Sequence, residues 1–166
     1  MEKLRVSLEF LDFPPEHTCD GGNTSPTLNI EGIDTSSSLA IMVFNPSMRE
    51  VLSYCAWLVW DMPALKTIPS GIPAGAKITS PISAIQGTND AGVVGWTGPC
   101  PKPGETHRYL FRVYGLDDFV HLPGGSKKSA LLSAMHDHIL QYGETEAVAS
   151  KPRPQQAASG TVQQRK

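Results

Sequence analysis

Three stretches of the 166-residue chain hold most of the groups able to do chemistry. They are Thr18-Cys19-Asp20, the end of an apolar run at Asn45, and Gly95 through Cys100 to His107-Arg108-Tyr109. The last is the most informative. If a strand begins at His107, side-chain alternation puts His107 and Tyr109 on one face and Arg108 on the other. An imidazole and a phenol side by side can both donate to the oxygens of an anion. The neighbouring Gly98-Pro99 turn would let a backbone approach closely and present an exposed amide. A histidine at a strand start that only satisfies its own hydrogen bonds fits the same pattern. Spacing alone therefore stops at one anion-binding corner.

Other reactive residues make weaker cases. His136 and His138 are two apart on an expected helix, so they point to different faces and form no metal pair. His138 falls on the apolar stripe and reads as a core histidine. His17 and His121 sit among turn formers with no evident partner. Cys100 and His107 would suit a cysteine hydrolase, but Pro99 and Pro101 keep that cysteine off the helix N-terminus that would lower its pKa. No phosphate loop, dinucleotide fingerprint or nucleophile elbow is present. The expectation is no catalytic residue, no metal site and no cofactor. Cys19, Cys55 and Cys100 form no CxxC pair. They read as reduced, mostly buried thiols of a cytoplasmic protein, although one disulfide between two of them stays open.

Strands must position these groups. Residues 38–44, 56–62 and 109–116 are apolar or β-rich runs that suit buried strands. Residues 6–13 read as an earlier strand, stopped by Pro14-Pro15. Residues 127–142 carry Leu131, Ala134, Met135, His138, Ile139 and Tyr142 at helical spacing. Ser126 suits the N-cap of that helix and Gly143 its C-cap. Lys127 and Lys128 in its first turn read as a solvated charge pair or a positive face for an anionic partner. The 15 glycines and 14 prolines are spread along the chain and imply many turns. A mainly β domain over residues 1–149 is expected, followed by a disordered tail over 150–166. A net charge of −2 gives nucleic acid no basic footprint. No apolar run reaches the roughly 20 residues of an integral membrane segment. The alternation of residues 1–10 is that of a strand, not a secretory leader.

Several motifs share one resemblance. Thr18-Cys19-Asp20-Gly21-Gly22-Asn23-Thr24-Ser25-Pro26 is followed by Asn89-Asp90-Ala91-Gly92 and by Gly95-Trp96-Thr97-Gly98-Pro99-Cys100-Pro101. His107-Arg108-Tyr109, Tyr114-Gly115-Leu116-Asp117 and Leu122-Pro123-Gly124-Gly125 then come in order. The set spans roughly residues 6–148 and resembles the phosphatidylethanolamine-binding family, in its bacterial Raf-kinase-inhibitor-like branch. The resemblance implies a β-sandwich of two sheets with a C-terminal helix, few short helices and a small pocket at one end. It implies a non-enzymatic, regulatory binding protein for a small anion or phospholipid head group, with a homodimer as one expected assembly. The family's ligand positions fall on Asn45, Ala56, Gly98, Pro99, His107 and Tyr109. Two depart from its pattern. Asn45 stands where the family has a carboxylate, and Ala56 where it has a histidine before a tryptophan. The pocket is thus expected to be degenerate. The alternative is a protein-interaction module, similar to kinase or protease inhibitors, with a vestigial pocket and a surface on residues 64–88 and Lys127-Lys128.

Overall fold

The computed structural model describes residues 2–46 and 54–153 and contains a seven-stranded and a three-stranded β-sheet. The apolar run at 38–44 becomes β4 (Ser38–Asn45), all eight of whose positions are buried. It lies between β5 (Tyr54–Pro63) and β9 (Thr106–Leu116), antiparallel to both. A strand covered on both faces has no polar side to alternate with, which is why these residues read as a continuous run. β10 (Ile139–Ser150) pairs with β9 from Ile139↔Leu116 to Ser150↔Thr106 and carries β1 (Glu2–Lys3) on its outer edge. On the other side β8 (Ala84–Gln86) and β7 (Lys77–Ile78) extend the sheet from β5. The small sheet is β2 (Arg5–Leu8), β3 (Leu28–Glu31) and β6 (Thr67–Ile68).

The main core lies between the sheets, where Leu28, Ile30 and Ile68 meet Ile41, Val43, Trp57, Phe111 and Val113. Each such side chain contributes about 1.5–3 kcal/mol by leaving water. A second cluster covers the outer face of the large sheet, where α1 (Lys128–Met135) lays Leu131 and Met135 on Met42, Leu58, Trp60 and Leu116. The buried Trp57 indole donates to Gln86 Oε1 at 2.7 Å, and the Gln86 amide donates to the carbonyls of Pro73 and Gly75. Among the described residues no helix is long and apolar enough to cross a membrane.

The largest departure from the sequence reading is the helix. It ends at Met135, its N-cap is Lys127, and Asp137 turns the chain with φ +69°. Ser126 bonds the Pro123 carbonyl instead of capping. Residues 139–150 also fit a two-residue period, and pairing along all of β9 prevails over a helix end with Gly143 in it. Gly143 is a strand residue pressed on Leu4, where a Cβ would stand 2.3 Å from its carbonyl oxygen. His138 is correspondingly no core histidine: it is exposed and pairs through Nδ1 with Asp117 at 3.0 Å. Lys128 is not a solvated charge but meets Asp90 at 2.6 Å. The strand expected over 6–13 is β2 and stops at Leu8, after which the chain crosses to β10 and the Phe13 amide donates to the Val148 carbonyl. At the other end order extends past residue 149, because Lys151 exchanges backbone bonds with Gly104 and Glu105. Residues 154–166 of the expected tail lie outside the described residues.

Candidate ligand-binding site

β9 places the predicted pair as alternation requires. Tyr109 points into the core between the sheets, His107 precedes it on the same face, and Arg108 faces outward to Glu146. Asn45, the last residue of β4, follows the pair Phe44↔Leu110 and so arrives opposite Tyr109. Its side chain is fully buried and touches both rings. Asn45 Nδ2 donates to His107 Nδ1 at 3.4 Å, and the same amide is hydrogen-bonded to the Tyr109 hydroxyl. Burial pushes the Tyr109 phenol up to about 12, so it is a neutral donor near neutral pH. Tyr54, the β5 partner of Asn45, approaches Tyr109 from the next strand.

The second ring nitrogen of His107 has a partner that sequence reasoning missed. Nε2 lies 3.2 Å from Glu105 Oε1. With Nδ1 accepting from an amide, the proton belongs on Nε2, which donates to Glu105. The Glu105 carboxylate also accepts the Lys102 backbone N–H at 2.9 Å. That bond first, and His107 with it, hold the Glu105 carboxyl below the usual carboxylate range. One signal was available: Glu105, His107 and Tyr109 are spaced by two.

Gly98 and Pro99 serve a different purpose from the exposed amide expected of them. The Gly98 N–H donates to Asn23 Oδ1 at 2.8 Å, and the Pro99 carbonyl accepts the Cys19 N–H at 3.1 Å. Both clamp the segment 17–23 against the loop that leads to β9. Cys19 and Cys100 close the same contact as a disulfide, so these two thiols are not reduced. Spacing could not show this because 81 residues separate them. His17 also has partners, its Nδ1 lying 2.8 Å from the Thr24 carbonyl and its ring stacked on Phe10. Ala56 is fully buried in the main core, and its carbonyl receives Asn89 Nδ2 and the Thr97 N–H. Beneath the corner, Phe13 joins Tyr109, Trp96 and Phe111 by ring contacts of 5.6 to 6.4 Å. A cavity of about 260 Å³ opens beside it. Its walls include Phe13, Thr18, Asp20, Lys151 and Ala149, the strand partner of His107.

Cys55, as expected, is a buried free thiol, and burial pushes it up to about 12. The thiolate is the reactive form, so alkylation in the native state at about pH 8 is expected to run about a thousandfold slower than for a free cysteine. Timed iodoacetamide labelling read by mass spectrometry checks this. Labelling at the rate of free cysteine would contradict it.

Comparison with known proteins agrees with the motif order. The model of the phosphatidylethanolamine-binding protein family matches residues 8–150. A UPF0098 protein of Pyrococcus horikoshii is 41% identical over 146 residues, 85% of this chain and 73% of that one. The UPF0098 protein YbcL of Escherichia coli is 37% identical over 120 residues, 69% of this chain and 62% of that one. The crystal structure of the phosphatidylethanolamine-binding protein homolog CT736 of Chlamydia trachomatis superposes with a TM-score of 0.77 at 26% identity. It covers 91% of this chain and 99% of that one.

Proposed function

The chain belongs to the phosphatidylethanolamine-binding protein family, and from that premise we propose a non-enzymatic binding protein for a small oxyanion, free or as a phospholipid head group. The observation that carries this reading is the Asn45 amide held between His107 and Tyr109. A neutral amide both donates and accepts, so it orients the two rings without the ion pair a carboxylate would form. One ligand oxygen would accept the hydrogen bond of His107 Nε2–H, the Asn45 amide on Nδ1 keeping the proton on that nitrogen, and a second oxygen would turn toward the Tyr109 hydroxyl. Hydrogen bonds from two neutral donors to an anionic oxygen, each worth about 1.5–3 kcal/mol, sum to about 3–6 kcal/mol, which spans the roughly 4 kcal/mol of millimolar binding.

The cysteines weigh against covalent catalysis, since Cys100 is in a disulfide and the Cys55 thiol is buried and raised. The disulfide also weighs toward an oxidising compartment, or a cell that retains disulfides internally, over the reducing cytoplasm expected from the sequence.

Titration with inorganic phosphate and with phosphoethanolamine, read at the His107 imidazole by NMR, is expected to give saturable shifts in the millimolar range. His107→Ala is expected to weaken binding, followed calorimetrically, at least tenfold. Vesicles containing phosphatidylethanolamine separate a lipid head group from free phosphate as the source. Binding unchanged in His107→Ala would sink this reading. Absence of any saturable response would leave the protein-interaction module as the better account.

A further inference from the structure

Resting on the reading above, we infer that Glu105 is an internal ligand of the site, which occupies the imidazole donor that an external anion must use. The chain delivers this carboxylate by a tight turn. Glu105 N–H donates to the Lys102 carbonyl at 2.9 Å around Pro103-Gly104, with Gly104 at φ +86°. The Lys151 N–H then fixes the Glu105 carbonyl at 3.1 Å. The Arg153 guanidinium lies on Gly104, 3.1 Å from where a Cβ would stand, and closes the turn from outside. The side chain is held as well, because Oε1 accepts from the Lys102 backbone and faces His107 Nε2 at 3.2 Å. It is a preset acceptor, not a surface acid that wanders into reach.

Two consequences follow for anions. Neither nitrogen of His107 is idle, since Nδ1 accepts from Asn45 and Nε2 donates to Glu105. An oxyanion at Nε2 must displace one carboxylate and then sit beside its charge. Glu105 therefore sets specificity: it disfavours anions at a corner otherwise built for them and leaves neutral or cationic groups less penalised.

Calorimetric titration with inorganic phosphate on wild type, Glu105→Gln, Glu105→Ala and Glu105→Gln/His107→Ala tests this. Glutamine keeps an acceptor for the Lys102 N–H and removes the charge. Both single variants are expected to bind phosphate about tenfold more tightly than wild type. The gain is expected to vanish in the double variant. In wild type, saturating phosphate is expected to move the Glu105 carboxyl carbon resonance as the side chain is released. A wild type that binds through His107, with single variants that bind equally or more weakly, overturns the role of Glu105 and leaves the binding site standing. Absence of phosphate binding in wild type and both single variants, or binding retained undiminished in the double variant, overturns both, and binding that appears only in the single variants supports both.

Discussion

Replacing Cys19 and Cys100 together by serine is expected to lower the unfolding free energy by about 3–5 kcal/mol. The bond joins residues 81 apart, so it removes the entropy of a loop of nearly half the chain from the unfolded ensemble. The chain-entropy relation puts a closure of this length at about 4.5 kcal/mol. Nothing else in the contact compensates fully. The two segments keep the bonds from Cys19 N–H to Pro99, from Gly98 N–H to Asn23, and from the Trp96 indole to the His17 carbonyl at 3.3 Å. These hold the native geometry, so the serine variant is expected to fold, with its melting temperature down by roughly 10–15 °C. Thermal denaturation of both proteins, with and without reductant, gives the answer. Reductant should bring wild type down to the variant and leave the variant unmoved. A difference below about 3 °C would mean that the reduced, unfolded chain already holds these segments together.

The same loop shows what sequence could and could not reveal. β4, β5 and β9 were legible because each is an apolar or β-rich run whose burial is fixed by its own residues. The pairing of His107 with Tyr109 was legible because alternation is a local rule. Asn45 was legible as a polar group at a strand end, but its place opposite Tyr109 was not, since that depends on the register of β4 against β9. Glu105 was overlooked because it reads as one more turn residue after Pro103-Gly104. The helix was overextended because Leu131, Met135 and Ile139 satisfy helical spacing while 139–150 equally satisfies a strand. Only the partner strand decides between them, and β9 is contributed from more than twenty residues earlier. Contacts that join 17–23 to 96–100 leave no periodic trace at all. A glycine and a cysteine in a turn look the same whether the turn is free or clamped.

That clamp makes Gly98→Ala the second large effect, an expected loss of about 2–4 kcal/mol. A Cβ at Gly98 would stand 2.2 Å from the His17 carbonyl oxygen and 2.6 Å from Asn23 Oδ1. Both atoms are engaged, the first by the Trp96 indole and the second by the Gly98 N–H itself. Neither can withdraw without giving up a hydrogen bond in a part-buried place, which costs about 1–3 kcal/mol for each group left unsatisfied. Backbone strain is not the cause, since Gly98 is absent from the positive-φ positions. Gly92→Ala provides the contrast: its φ of +82° strains any side chain, but nothing lies within 4 Å, so about 1 kcal/mol is expected there. Urea denaturation of both variants separates crowding from strain. Because the disulfide prevents 17–23 from lifting away, the penalty at Gly98 should shrink by about 1 kcal/mol or more in the Cys19→Ser/Cys100→Ser background, a coupling that a double-mutant cycle reads directly. An identical penalty in both backgrounds would place the yielding element within 96–100 itself. The disulfide would then stabilise the fold without holding the loop against the glycine.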